Sequence, residues 1–258
     1  MENHSLGEAM GSSDARFLNS LARDCALATN YFGVAHPSLP NYIAATSGST
    51  QGISDDAPPA SHPIAGPSIY SALGRARKTW GEYEEDAPTN CPQTSSGTYA
   101  TKHDPAVYYV SIRSQCQRWD VPLGTTSAGA LQRALASNHL PTFSFVTPNL
   151  CNDMHDCSVA TGDAWLQKWM TRIISSPAYR SNHLAIMITW DESDPANQVP
   201  LLVVGPSVAR GGRISARLDH YSLLKTTQQL LGLRPLLGAA ADPGTRSFIS
   251  ALRVSSSH

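Results

Sequence analysis

The stretch HLAIMITWDESD, residues 183–194, constrains the fold more than any other part of the chain. It is apolar without the every-second-residue polar alternation of a half-buried strand, which predicts a strand covered on both faces, as in a parallel sheet. Two adjacent carboxylates, Asp191 and Glu192, follow at once. In open α/β sheets ligands bind beyond the carboxyl ends of the strands, so this edge is where chemistry is expected. Further strands are predicted at ATNYFGVAH, TWGEYEE, TFSFVTP and VPLLVVGPSV, with helical segments between them. Alternation of this kind predicts an α/β fold, a doubly wound and mostly parallel sheet flanked by helices. No internal repeat or linker divides the chain, and 258 residues are enough for one core, so residues 1–258 are expected to form a single domain.

The helices carry their own punctuation. SLPNYIAATSG has Pro40 in its first turn and Gly48 at its end, a helix of about two turns. In GDAWLQKWMTRIISSPAY, Trp165, Leu166 and Trp169 form one apolar face, and RFLNSLARDC repeats the pattern with Phe17, Leu18, Leu21 and Cys25. HYSLLKTTQQLLGL supplies the last helix. MENHS opens the chain with an acid and an amide but no strand before them. The reading is that the usual first strand lies upstream of Met1, together with any export signal, the alternative being a frayed terminus.

Net charge is −1, so no global field draws the chain to nucleic acid or an anionic membrane, and no apolar run approaches the ~20 residues of a membrane helix. Five cysteines need placing. Cys91 with Cys116 and Cys151 with Cys157 each bracket an irregular segment, which suits disulfides and an oxidising, secreted or periplasmic setting. A Cys/His metal site is the competing use, but no CxxC spacing occurs. Cys25, in an apolar helical stretch, is left unpaired and buried.

Polar groups are expected at three strand ends. ITWDESD delivers Asp191 and Glu192, FVTPNLCNDMHDC delivers Asn149, Asn152, Asp153, His155 and Asp156, and VAHPSLPN delivers His36 and Ser38. Adjacent carboxylates at the end of an apolar strand are costly unless a positive charge sits between them. One divalent cation answers that need, and oxygen donors from Glu2, the Asn3 amide, Asp191 and Glu192 favour a hard ion, Mg²⁺, Ca²⁺ or Mn²⁺. Ser38 lies outside any GxSxG elbow. Placed before Pro40 it sits where free N–H groups cradle phosphate, and a cation on its Oγ would make it a nucleophile. The plainer reading is that Ser38 caps a helix.

MENHS, HPSLPNYIAATSGSTQGI, KHDPAVYY, NLCNDMHDCSVATGDAWL, ITWDESD and HYSLLKTTQQLLGL occur in the order in which similar segments occur in the bacterial phosphoesterase family. That family contains acid phosphatases and phospholipases C within the alkaline-phosphatase superfamily. The chain most resembles its actinobacterial secreted acid phosphatases, some of them phosphatidylinositol-3-phosphatases. The resemblance runs from residue 1 to about 235. It implies a metal held by Glu2, Asn3, Asp191 and Glu192 and touching Ser38, with Glu192 standing where the family often has Asp. It implies Ser38 as nucleophile, Thr46 and Ser47 as fallbacks, and His103 and His155 near the phosphate with Asn3. His36 is expected to orient its loop. His220 is expected to cap the last helix, although related folds use a histidine in this region as a ligand. Asp55 and Asp56 read as loop caps. The expected activity is a metal-dependent phosphomonoesterase acting on a small phosphomonoester or a phosphoinositide. A phospholipase C-type phosphodiesterase and an inactive metal-stabilised binding protein are the alternatives. Oligomeric state is left open.

Overall fold

The computed structural model describes residues 1–252; His258 lies outside the described residues. A capping box between Ser5 and Glu8 starts α1 (Leu6–Ala9). The next helix, α2 (Arg16–Asp24), has no cap of its own and borrows one: Phe17 and Leu18 donate their N–H groups to the Asp163 carboxylate at 2.9 and 2.8 Å. The stretch ATNYFGVAH breaks into β1 (Ala26–Ala28) and β2 (Tyr31–Phe32) rather than one strand. α3 (Ser38–Ser47) ends at Gly48, whose φ of 78° is left-handed and whose missing Cβ makes room for the Leu237 carbonyl.

Then follow α4 (Ile69–Arg75), β3 (Trp80–Glu84), α5 (Arg113–Trp119), β4 (Asp120–Pro122), α6 (Ala130–Ala136) and β5 (Phe143–Thr147). Between β3 and α5, in a segment expected to be loop, short 3-10 turns form at Thr101–His103 and Pro105–Tyr108. Ser158 caps α7 (Val159–Ile174), which buries Trp165, Leu166 and Trp169 as expected. α8 (Pro177–Arg180), β6 (Ile186–Thr189), β7 (Leu201–Val204), β8 (Gly212–Ile214), β9 (Leu218–Asp219) and α9 (His220–Leu230) complete the order.

β4, β3 and β5 form an all-parallel sheet in that order. A second sheet runs β6-β7-β1-β8, with β7 antiparallel to both neighbours and β8 parallel to β1, while β2 and β9 pair in parallel. The architecture is α/β with parallel pairing predominant. One expectation needs correcting: β6 is not a doubly covered parallel strand. It lies at the end of its sheet, antiparallel to β7, and only Ile188 of its four residues is buried. β7, within VPLLVVG, is buried at every position, as are β1 and β3. An apolar run records lack of water contact, not strand direction, and the pairing of β6 with β7 is antiparallel.

Residues 1–2 hold the carboxyl ends of β5 and β6 together. The Met1 ammonium donates to Thr189 O at 3.2 Å, Asp191 N–H donates to Met1 O at 3.1 Å, and Glu2 N–H donates to Asp153 O at 2.8 Å. Glu2 is fully buried, which overturns the frayed-terminus alternative. Both expected disulfides form, Cys91–Cys116 and Cys151–Cys157, and Cys25 is free and buried.

Candidate active site

The polar ends of β2, β5 and β6 meet at residues 1–3. Ser38 opens α3 but does not cap it; the cap position is Pro37, with no side-chain bond. The loop before it is held by Asn41, whose Oδ1 accepts from Val34 and Ala35 N–H and whose Nδ2 donates to Ala35 O and Pro37 O. The first turn of α3 is capped from a distance by Asp56, which accepts from Leu39 N–H at 2.9 Å. The Ser38 hydroxyl is thereby free to face the acids, 3.1 Å from Glu2 Oε2 and 3.3 Å from Glu192 Oε1.

Each acid has a distinct setting. Glu2 accepts from the Tyr42 hydroxyl and lies 3.2 Å from His103 Nε2; burial opposes its charge, but His103 holds the carboxyl down at about 2. Burial would depress His103 in turn, yet Glu2 and Asp153, the latter 3.2 Å from Nδ1, raise it to about 9. His103 is therefore a buried imidazolium between two carboxylates, stacked on Tyr42 with ring centroids 5.3 Å apart. Asp191 takes Asn3 N–H on Oδ1 at 3.3 Å, while its Oδ2 is buried without a partner among the described residues. Burial and the Glu2 charge push Asp191 well up. Burial also raises Glu192, against the pull of His36 Nδ1 on its Oε2.

One hydroxyl proton cannot serve two carboxylates, and a third beside them has an orphaned oxygen. His103, His36 and the Met1 ammonium offset only part of this charge, since Asp191 and Glu192 stay raised, and the all-oxygen donors fit a hard divalent cation. Glu2 and Glu192 both reach Ser38 Oγ, and Asp191 is close enough to both for their charges to raise it. Asn3 contributes its backbone N–H from a left-handed φ of 54°, while its side chain is exposed and hydrogen-bonds to nothing among the described residues. Thr46 and Ser47 are turned away: Thr46 Oγ1 pairs with Tyr109 and the Tyr42 carbonyl, and Ser47 Oγ donates to Ile43 O.

His155 sits half-buried beside the cluster, its ring 5.9 Å from that of His103 and its Nδ1 2.6 Å from Asp156 Oδ1. Its Nε2 lies 3.2 Å from Lys102 Nζ, which also donates to Asp56 Oδ2 at 3.1 Å. Contacts thus close a ring from Ser38 through Glu2, His103, His155, Lys102 and Asp56 back to Leu39. Acids line one side and an ammonium the other. Lys102 was not singled out from the sequence, although its place beside His103 in KHDP was a usable signal. His220 was read as a cap, a role that falls to Asp219, which accepts from Ser222 N–H. The His220 ring instead donates from Nε2 to Asp191 O at 2.6 Å and faces the Tyr31 hydroxyl at 2.7 Å through Nδ1. It fixes the backbone of Asp191.

Comparison with known proteins places the chain among phosphoesterases. The model of the Phosphoesterase family matches residues 5–234. A phosphatidylinositol-3-phosphatase of Mycobacterium tuberculosis is 35% identical over 244 residues, covering 93% of this chain and 77% of that protein. A phosphate-repressible acid phosphatase of Penicillium chrysogenum is 30% identical, covering 86% of this chain and 55% of its own length. The chain thus spans little more than half of that fungal relative. Among solved structures, an alkaline phosphatase superfamily protein of Vibrio parahaemolyticus aligns with a TM-score of 0.61 at 11% identity, over 92% of this chain and 66% of that one, a likeness of fold.

Proposed function

We propose, for a chain that belongs to the Phosphoesterase family of hydrolases acting on phosphoric esters, that it is a metal-dependent phosphomonoesterase of the acid phosphatase kind with Ser38 as its nucleophile. The observation that carries this reading is the Ser38 hydroxyl between Glu2 and Glu192, with an unpartnered Asp191 oxygen beside them. Glu2, Asp191, Glu192 and Ser38 Oγ would hold the cation. Bound there, a hard divalent ion lowers the pKa of the hydroxyl and neutralises phosphoryl charge.

The residues divide the remaining work. Ser38 Oγ gives up its proton to the carboxylate side and bonds to phosphorus as the P–O bond to the alcohol breaks. Water then attacks the phosphoseryl group, releasing phosphate and restoring the hydroxyl. Lys102 and His155, on the more open side, bind the phosphate oxygens and protonate the leaving alkoxide. His103 is a positioning residue: its charge keeps Glu2 ionised, and its burial keeps it from the substrate. His36 orients Glu192, and His220 orients Asp191.

The Mycobacterium relative extends the substrate class to a phosphoinositide monoester. The disulfides agree with an oxidising, secreted location. No helix among the described residues is long and apolar enough to cross a membrane. Assay of p-nitrophenyl phosphate beside its phosphorylcholine ester tests the reading. It predicts preference for the monoester and a loss of about 10³-fold or more in kcat for Ser38→Ala; full turnover by Ser38→Ala removes the nucleophile, and preference for the diester removes the monoesterase.

A further inference from the structure

One residue past His103 begins a second group of acids that the proposed reaction does not use. Glu82 and Glu84, two apart on β3, point to the same side of the sheet. Asp120 at the start of β4 is the cross-strand partner of Glu82, and Asp104, between the two 3-10 turns, closes over them. None of the four is more than 1% exposed. Like charges opposite each other on a buried sheet face are destabilising, and this placement needs a cause.

Their hydrogen bonds leave them unsatisfied. Tyr70 donates to Glu82 Oε1 at 3.2 Å and Tyr99 to Asp104 Oδ2 at 2.7 Å. Glu82 Oε2, Glu84 Oε1, Asp104 Oδ1 and Asp120 Oδ1 are buried with no partner, and among the described residues no Lys, Arg or His pairs with any of the four. One oxygen from each of Glu82, Glu84 and Asp104 lies within 4.8 Å of the others. Oxygens on opposite sides of a Ca²⁺ at ~2.4 Å are ~4.8 Å apart, so three such atoms fit around one ion.

We propose that Glu82, Glu84 and Asp104, with Asp120 alongside, form a second cation site that holds a buried Ca²⁺ apart from Ser38. Ca²⁺ suits a dry cage of carboxylates better than Mg²⁺, which keeps several waters. Thiolate metals are excluded because the nearby Cys91 and Cys116 are joined to each other. Two of the four negative charges are balanced by the ion and the rest by protons shared within the group. Without the ion, burial pushes all four carboxyls up, Asp104 to about 7, and the cluster takes protons instead. The ion ties β3 and β4 to the turn that carries His103.

The full chain is stripped with EDTA, dialysed against Ca²⁺, and assayed for bound metal by mass spectrometry and for melting temperature. Asp191→Asn/Glu192→Gln, which disables the Ser38 site, is expected to retain one Ca²⁺ per chain. It is also expected to melt about 5–10 °C higher when free Ca²⁺ is 100-fold above its Kd. Glu82→Gln/Glu84→Gln is expected to lose that equivalent and that rise. The site is refuted if Asp191→Asn/Glu192→Gln binds no Ca²⁺. It is equally refuted if Glu82→Gln/Glu84→Gln binds as much as the wild type and melts higher in EDTA, as relief of proton-sharing acids alone would produce. Should the glutamine variant not fold, the count on the first variant decides.

Discussion

Replacing His220 tests how the site is held from behind. Its ring makes two buried contacts, to Asp191 O at 2.6 Å and to the Tyr31 hydroxyl at 2.7 Å, and is 2% exposed. His220→Leu keeps the bulk but strips both groups of that partner. At roughly 1–3 kcal/mol for each buried group so deprived, the cost is about 2–6 kcal/mol. Tyr31→Phe alone removes one partner and costs about 1–2 kcal/mol. In the His220→Leu background the hydroxyl has already lost its imidazole, so Tyr31→Phe becomes nearly neutral and the cycle shows a coupling of about 1 kcal/mol or more. Urea unfolding of the four proteins measures it. Additivity within about 0.5 kcal/mol would show that the Tyr31–His220–Asp191 chain does not act as a unit. A second readout is kinetic: a shifted Asp191 backbone is expected to weaken binding of the proposed cation, which titration of activity against metal would detect.

Three shorter predictions follow. Gly48→Ala forces a left-handed φ on an L-residue and drives a Cβ to 2.3 Å from Leu237 O, so α3 must shift at its end; a loss of about 2 kcal/mol or more in urea unfolding is expected, and an unchanged midpoint contradicts the assignment. Lys102→Gln removes the ammonium held by Asp56 and His155 and is expected to raise KM more than tenfold and to flatten its dependence on salt; an unchanged KM would remove Lys102 from the phosphate side. Burial pushes the Cys25 thiol up to about 11 from an ordinary 9.0. Because the folded value is the higher one, the stability that Cys25 contributes is full below about pH 9 and is lost as pH rises towards 11. Ellman titration of native protein at pH 8 is expected to be slow and that of unfolded, unreduced protein to give one thiol; three or more would mean a disulfide is not formed.

The legible parts of the fold were those written in local spacing. Gly48 after a two-turn apolar helix, Trp165 and Trp169 on one face, and cysteines bracketing short loops all state their structure within a few residues. The meeting of Ser38 with Glu192 was legible because one opens a helix and the other follows a strand at the same sheet edge, whereas Glu2, with no strand before it, was tied to that edge only through the resemblance. What was not legible depends on contacts between distant segments. The run GEYE within WGEYE has the alternation of a strand with one wet face, yet Glu82 and Glu84 are buried, with Asp120 on β4 across from Glu82 and Tyr70 donating to Glu82, contacts made by distant segments. Asp56 capping α3 and Asp163 capping α2 act across 17 and more than a hundred residues, beyond any local cap pattern. His220 follows its helix's real cap by one position, and its ring reaches the Asp191 carbonyl from a segment 29 residues away in sequence.

Acid quenching of the wild-type protein during turnover of a ³²P-labelled monoester, followed by digestion and peptide mapping, bears most directly on the proposed chemistry. Label is expected in the peptide containing Ser38, on the serine itself, and absent from Ser38→Ala. Label on another residue, or undiminished turnover by Ser38→Ala, would contradict it.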